Sequence, residues 1–332
     1  MKRQFARQLE EGEKVDDLFV LTARTASQTR MGKPYLRLTV ADRTGELKGV
    51  CWEPGREVDA DTAVGDAVRI KGRMQSYNGS LQLAVGKMTR CADAVDPSDF
   101  LPTAARRDPQ RDFDELVALT AEFKDPWLRR LLDAFWADED FVRQFKTAPA
   151  AKKIHHAYVG GLVIHCLSMA RWARFAGEHY EGVDVDLLTA GAILHDVGKT
   201  RELECRLQID YSDSGRLLSH IVIGCQMIDE KVAELPGFPE QTSLLLKHMV
   251  VSHHGERAFG SPEPPKTIEA VLLHFIDEID SKVNGIRDFA AADDGNAPWT
   301  AYHRLWERQF YLGGKPEAGS GAKDIQPDVH HD

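Results

Sequence analysis

No apolar run in this sequence approaches the ~20 residues of a membrane-spanning helix. The N-terminal stretch MKRQFARQLEEGEKVDDL also lacks the apolar core of a signal peptide. A membrane protein is excluded on that pattern, and a cytoplasmic protein is expected. Cys-x-x-Cys pairs are absent: Cys51, Cys91, Cys166, Cys205 and Cys225 stand singly and are odd in number. Scattered thiols of this kind argue against a disulfide framework and for reduced, packed side chains in a reducing compartment. Net positive charge is missing too, since 42 Lys and Arg against 52 Asp and Glu leave −10 at pH 7. A nucleic-acid partner would have to be held by a local basic patch or by metal ions, not by the overall field. Internal repeats are absent, and 332 residues suit two domains of unequal size.

What is present divides by periodicity. From Val15 to about Thr89, short strand-like runs (LFVLTART, PYLRLTVAD, ELKGVCW, DAVRIKGRMQSY, SLQLAVGKM) alternate with turn signals. Asn78-Gly79 between two alternating runs predicts a tight hairpin. About five such strands suit a small closed barrel. An Asp-, Pro-, Ala- and Arg-rich stretch follows and reads as a linker. Beyond it the period is helical: Leu128, Leu131, Leu132 and Phe135 share one face of a helix starting near Asp125-Pro126. Further helical patterns cover about 161–179, 184–196, 215–234, 240–253 and 266–286. The stretch 113–147 either packs on the helical core or forms a subunit contact, so a homo-oligomer stays open. These boundaries give a barrel at 1–92, a linker at 93–112, a helical domain at 113–312, and a Gly-, Asp- and Pro-rich tail at 313–332 expected to be disordered.

Ten of the thirteen histidines lie between His155 and His274. The strongest local signal is Leu194-His195-Asp196-Val197-Gly198-Lys199, entered from the apolar run LLTAGAIL, which predicts a buried helix that Gly198 ends. An adjacent imidazole and carboxylate suit Mn, Fe, Co, Ni or Mg better than a structural zinc. His165, His220, His253, His254 and Asp277 each sit in an otherwise apolar helical stretch. Burying isolated polar rings is costly unless each finds a partner, and one shared metal would serve many of them. Any one such histidine alone is ordinarily a packed core residue; the set in this order is the signal. Asp196 is placed to bridge two ions, which would clamp a phosphoester. His156 is a catalytic candidate toward substrate phosphate, although His155 and His156 serve equally well at a helix start. Asp280 reads either as a support for the ligands or as a surface or capping carboxylate.

The order His165, His195-Asp196, His220, His253-His254, Asp277 resembles the HD superfamily of metal-dependent phosphohydrolases. The words HHAYVGGLVIHCLSMA, LLTAGAILHDVGK, GRLLSHIVIG, MVVSHHGE and EAVLLHFIDEIDSKV resemble the YhaM family of 3′–5′ exoribonucleases, over about Val15 to Arg287. The resemblance implies a multidomain α and β chain, an N-terminal OB-fold β-barrel followed by an all-α HD-type phosphohydrolase domain. It implies one ion held by His165, His195, Asp196 and Asp277. A second ion would be bridged by Asp196 and held by His220, His253 and His254. One or two divalent ions are expected, Mn2+ first, with Co2+, Fe2+, Ni2+ and Mg2+ as alternatives. Lys199 would contact phosphate; its alternative role is a cation at a helix C-terminus.

The expected activity is hydrolysis of single-stranded RNA, and of single-stranded DNA as a secondary substrate, with Asp196, Lys199 and His156 at the chemistry. On the barrel, Arg24, Arg30, Lys33, Arg37, Lys48, Arg69, Lys71 and Arg73 are candidate phosphate contacts, with Tyr35, Trp52 and Tyr77 as stacking faces. Arg37, Tyr35, Trp52 and Tyr77 lead that set. Two other readings stay open: a nucleotide or cyclic-nucleotide phosphohydrolase regulated by its barrel, and a non-catalytic nucleic-acid-binding protein.

Overall fold

The computed structural model describes residues 2–55, 57–59, 61–102, 107–152, 156–293 and 297–313. Five strands form the front of the chain: β1 (Lys14–Gln28), β2 (Pro34–Asp42), β3 (Gly45–Cys51), β4 (Ala67–Tyr77) and β5 (Ser80–Arg90). They close into a barrel in the order β1-β2-β3-β5-β4, antiparallel except where β3 meets β5. Closure follows from β1, whose fifteen residues pair with β4 through the first half and with β2 through the second. The alternating pattern drives Phe19, Leu21, Leu38, Val40, Ile70, Met74, Leu83 and Met88 inward as a dry core. Asn78 and Gly79 take positive φ of 52° and 75° between Tyr77 and Ser80, the geometry a two-residue hairpin turn requires.

Three short helices follow: α1 (Pro109–Ala121), α2 (Pro126–Trp136) and α3 (Glu139–Thr147). Asp108, Asp125 and Asp138 cap them through side-chain oxygens on the first free backbone N–H groups. The cap explains a difference from the sequence reading: the stretch taken as linker to 112 already turns helical at Pro109, because Asp108-Pro109 is a capped helix start. Leu128, Leu131, Leu132 and Phe135 are at most 1% exposed, each side chain worth roughly 1.5–3 kcal/mol of burial. Phe113, Leu116, Phe141 and Phe145 join the same core, so 113–147 packs on the helical domain.

That domain continues through α4 (Gly161–His179), α5 (Val185–Leu194), α6 (Lys199–Glu202), a small hairpin of β6 (Leu203–Cys205) and β7 (Ile209–Tyr211), α7 (Asp213–Ala233), α8 (Glu240–Ser252) and α9 (Ile268–Ala292). Helix α5 is apolar all round and buried along Leu187–Leu194, which places it at the centre of the helical layer. The β6–β7 hairpin is absent from the sequence reading, as three-residue strands carry no periodicity. Barrel and helices up to Ser281 belong to one compact unit, Met1–Ser281. The second unit, Lys282–Asp332, contains the end of α9 and two antiparallel bridges, Trp299 with Tyr311 and His303 with Arg308. Of the tail read from 313, only Gly313 is among the described residues. No helix among the described residues is long and apolar enough to cross a membrane.

Candidate metal centre

The seven ligand candidates come from three helices and two helix ends. His165 projects from α4, His195 and Asp196 from the turn after α5, His220 from α7, His253 and His254 from the end of α8, and Asp277 from α9. Gly198 does not end α5 by a left-handed residue. Its φ is −61°, and it starts α6 in helical conformation. The residue is small for a different reason: a Cβ there would lie 2.1 Å from the His220 carbonyl oxygen. The glycine lets the His195-Asp196 turn press against α7 and brings His220 to Asp196. Just before His220, Ser219 holds φ 61° and ψ 162°, a conformation costing on the order of 1–3 kcal/mol that kinks α7 at the ligand.

The side chains converge on Asp196, which is 2% exposed. Its Oδ2 lies 3.3 Å from His195 Nε2 and 3.7 Å from His165 Nε2. Its Oδ1 lies 3.6 Å from His220 Nε2 and 3.7 Å from His253 Nε2. Asp277 Oδ1 is 3.4 Å from His165 Nε2, on the Oδ2 side. His254 stacks edge-on against His253, ring centres 4.2 Å apart, on the Oδ1 side. The two oxygens of one carboxylate thus face two different ligand sets.

The outer ring nitrogens of His165, His195, His220 and His253 are engaged. His195 Nδ1 donates to the Ala192 carbonyl at 2.9 Å and His253 Nδ1 to that of Val250 at 2.7 Å. His165 Nδ1 pairs with Asp280 at 2.8 Å, and His220 Nδ1 with Glu202 at 3.1 Å. Protons on the outer nitrogens leave the Nε2 lone pairs aimed at the centre. His165 and His195 bring two such nitrogens within 3.2 Å, a repulsive approach unless a proton or cation lies between them. Asp196 Oδ1, His220 Nε2, His253 Nε2 and His254 Nδ1 are buried without a hydrogen-bond partner. Orphaned buried acceptors are expensive, and imidazoles with carboxylates match divalent first-row ions. The donor set therefore fits one or two such ions.

The electrostatics agree. Burial alone would raise the Asp196 carboxyl, but Lys199 and the surrounding imidazoles outweigh it and hold the pKa well below the ordinary range. Burial pushes His253 well down and His254 down, keeping both rings neutral as ligands require. Burial likewise opposes protonation of His195, yet the adjoining Asp196 prevails and raises it.

An open pocket of about 520 Å³ exposes the centre on one side, lined by Asp196, Lys199, His220, His253, His254 and Asp277 among others. Lys199 Nζ sits 2.6 Å from Asp196 Oδ2 on that wall, within reach of an anion entering the pocket. His156, a catalytic candidate from the sequence, is 5% exposed and lies behind His165, its ring nitrogens on Tyr158 at 2.6 Å and Asp280 at 3.3 Å. That places it among the supports of the centre, away from the pocket wall. His155 lies outside the described residues. Asp280 turns out to be the shared support, since Ser168 donates to its second oxygen. Glu202 was not foreseen, because an acid in Thr200-Arg201-Glu202 looks like any surface glutamate. Nor was His274, whose Nδ1 donates to the His253 carbonyl at 3.0 Å.

On the barrel, the candidate contacts separate by face. Arg69 and Lys71 share Asp16 at 2.7 and 3.2 Å, Arg73 reaches the Gly12 carbonyl, and Arg24 is fixed on Thr62. These four are occupied within the barrel. Arg37 and Lys48 are exposed on β2 and β3, beside the Tyr35–Trp52 ring pair at 5.1 Å. Trp52 and Tyr77 are about half exposed, at 48% and 54%. The β2–β3 face with its flanking hairpins is where OB-folds take oligonucleotides.

Two family matches divide the chain in the same way. An OB-fold nucleic acid binding domain matches residues 20–90, and an HD domain matches residues 162–282. Among full-length relatives, a protein of Halalkalibacterium halodurans named 3′-5′ exoribonuclease YhaM is 35% identical over 279 residues, 82% of this chain and 85% of its own length. The Bacillus subtilis protein of that name is 34% identical over 278 residues, covering 83% and 87%. A Shouchella clausii protein, also so named, is 36% identical over 275 residues, covering 82% and 85%. Strand-built barrel, helical metal centre and near full-length similarity agree: the chain belongs to the YhaM family of 3′–5′ exoribonucleases.

Proposed function

We propose that this chain is a metal-dependent exoribonuclease that removes nucleotides from the 3′ end of single-stranded RNA, with single-stranded DNA as a secondary substrate, in the cytoplasm. The observation that carries the reading is the divided Asp196 carboxylate: each oxygen faces its own set of inward lone pairs beside an open pocket. His165, His195, Asp196 and Asp277 would hold one ion; Asp196, His220, His253 and His254 a second. Mn2+ is the ion we assign first. When bound, such ions activate water and neutralise charge on the scissile phosphate.

The remaining work falls to the chain's own groups. Lys199 adds positive charge on the pocket wall where a phosphodiester oxygen would rest. Asp280 and Glu202 fix the tautomers of His165 and His220, and His156 with Tyr158 holds Asp280 from behind. The Tyr35–Trp52 pair, Tyr77 and Arg37 offer stacking faces and a cation to the incoming strand.

The test is degradation of 5′-labelled single-stranded RNA by the purified full chain with Mn2+. Stepwise mononucleotide release from the 3′ end is expected, with Asp196→Ala slower by on the order of 10³-fold or more. Turnover of free nucleotides or cyclic nucleotides without RNA degradation would instead favour a barrel-regulated nucleotide phosphohydrolase. Equal rates for Asp196→Ala and wild type would remove the carboxylate from the mechanism.

A further inference from the structure

Two cavities in the unit Met1–Ser281 meet at one side chain. The metal pocket and a cleft of about 740 Å³ between the barrel and the β6–β7 hairpin share Lys152. The β6–β7 hairpin stands between them: Tyr211 lines the metal pocket, and Leu207, Gln208, Ile209 and Asp210 line the cleft. At the hairpin tip, Gln208 approaches Gly65 of the barrel, its Nε2 3.6 Å from where a Cβ would sit. The cleft's barrel wall includes Thr39 and Ala41. These continue the outward row of β2 that begins with Tyr35 and Arg37. From Tyr35 to Ala41 that row extends roughly 20 Å, at about 3.3 Å per residue. An exposed aromatic and cationic patch thus runs into the cleft, and the cleft runs to Lys152.

The chemistry at that junction is specific. Tyr211 is 41% exposed, with its ring 5.2 Å from the Lys152 ammonium. Lys152 Nζ lies 2.5 Å from Asp210 Oδ1. The same oxygen accepts the Tyr211 N–H at 2.7 Å and Arg216 Nη2 at 2.9 Å. Asp210 therefore keeps two donors if Lys152 turns to another anion, so the exchange leaves no carboxylate stranded. An aromatic face beside an exchangeable ammonium supplies the two elements single-stranded nucleic acid binds: base stacking and phosphate neutralisation.

We propose that the β6–β7 hairpin is the strand guide of the metal centre: Tyr211 stacks a base at the pocket mouth, and Lys152 leaves Asp210 for the backbone phosphate beside that base. The inference deepens the nuclease reading above and rests on it. Nucleotides near the 3′ end are held by the hairpin, and those further back by the barrel.

The test uses the full-length protein with its metal chelated and a set of oligonucleotides carrying 2-aminopurine at successive positions from the 3′ end. Stacking quenches the probe. Quenching at one position is expected for wild type and Tyr211→Phe and is lost in Tyr211→Ala. With metal restored, Tyr211→Ala should raise KM for RNA roughly 5- to 100-fold, with a smaller change in kcat. Lys152→Gln should lower the slope of log affinity against log salt by about 0.7, while Lys152→Arg keeps it. Metal content of each variant checks that the centre is intact. Quenching retained by Tyr211→Ala at every position overturns the guide, as does quenching lost only on Phe259→Ala, Phe259 being another exposed aromatic that lines the metal pocket. Wild-type protein that degrades RNA while Tyr211→Ala matches it in KM and quenching removes the guide alone. Wild-type protein that neither binds nor degrades RNA removes the nuclease reading and the guide together.

Discussion

The barrel and the helical domain organise polar groups in opposite ways. The barrel's hydrophobic cluster is apolar, and its candidate binding groups, Tyr35, Arg37, Lys48 and Trp52, lie on the outside. The helical domain buries its chemistry: His165, His195, Asp196 and His253 are at most 2% exposed. On the barrel each contact is solvated and separable, so loss of one subtracts a part of affinity. At the centre the groups are desolvated and share partners, so loss of one strands the others. A surface patch tunes binding; a buried cluster of lone pairs makes folding and metal binding one equilibrium.

Removal of the metal should break the contrast most sharply. A chelator is expected to abolish hydrolysis and to lower wild-type stability by about 2.7 kcal/mol relative to ion at 100 times its Kd. Thermal melts with and without Mn2+ measure this, and Asp196→Ala should melt at the same temperature in both. A melt of wild type that ignores the ion would deny the coupling. Next in size come the supports: Glu202→Ala and Asp280→Ala should weaken metal affinity roughly 10- to 100-fold, with activity recovered at raised Mn2+. Rates that stay low at saturating ion would place these carboxylates in the chemistry itself.

Smaller effects belong to the barrel. Removing the Tyr35–Trp52 pair by alanine substitution should cost roughly 1–3 kcal/mol of RNA binding per lost stack, read by titration, with metal affinity untouched. The smallest effect is acid sensitivity at Asp17. Burial would raise its carboxyl, but the backbone N–H groups of Arg3, Gln4 and Leu18 outweigh burial and lower its pKa. A lowered folded pKa adds stability above the unfolded value of about 4, lost as pH falls through the folded value. Asp17→Asn should therefore lower stability near neutrality and flatten its decline below about pH 4, as followed by denaturant unfolding. Parallel pH curves for the two proteins would deny Asp17 that role.

Periodicity made most of the fold legible. The alternation in PYLRLTVAD and SLQLAVGKM predicts strands that the structure forms at Pro34–Asp42 and Ser80–Arg90. The helix expected at 161–179 is formed over Gly161–His179. What periodicity cannot carry is any element shorter than its own window, and so the β6–β7 hairpin stayed hidden.

Residue type and order, read from the sequence alone, singled out the candidate side chains: imidazoles and carboxylates within apolar helices stand out wherever the chain goes. Only the tertiary structure decided what each one faces. It turned the two oxygens of Asp196 to different ligands, moved His156 behind His165 and drew Glu202 onto His220. It also set Arg69 and Lys71 against Asp16 while leaving Arg37 exposed. The reason is physical: helix and strand patterns are local, whereas a ligand's partner is set by how close two backbones approach, as at Gly198 against His220.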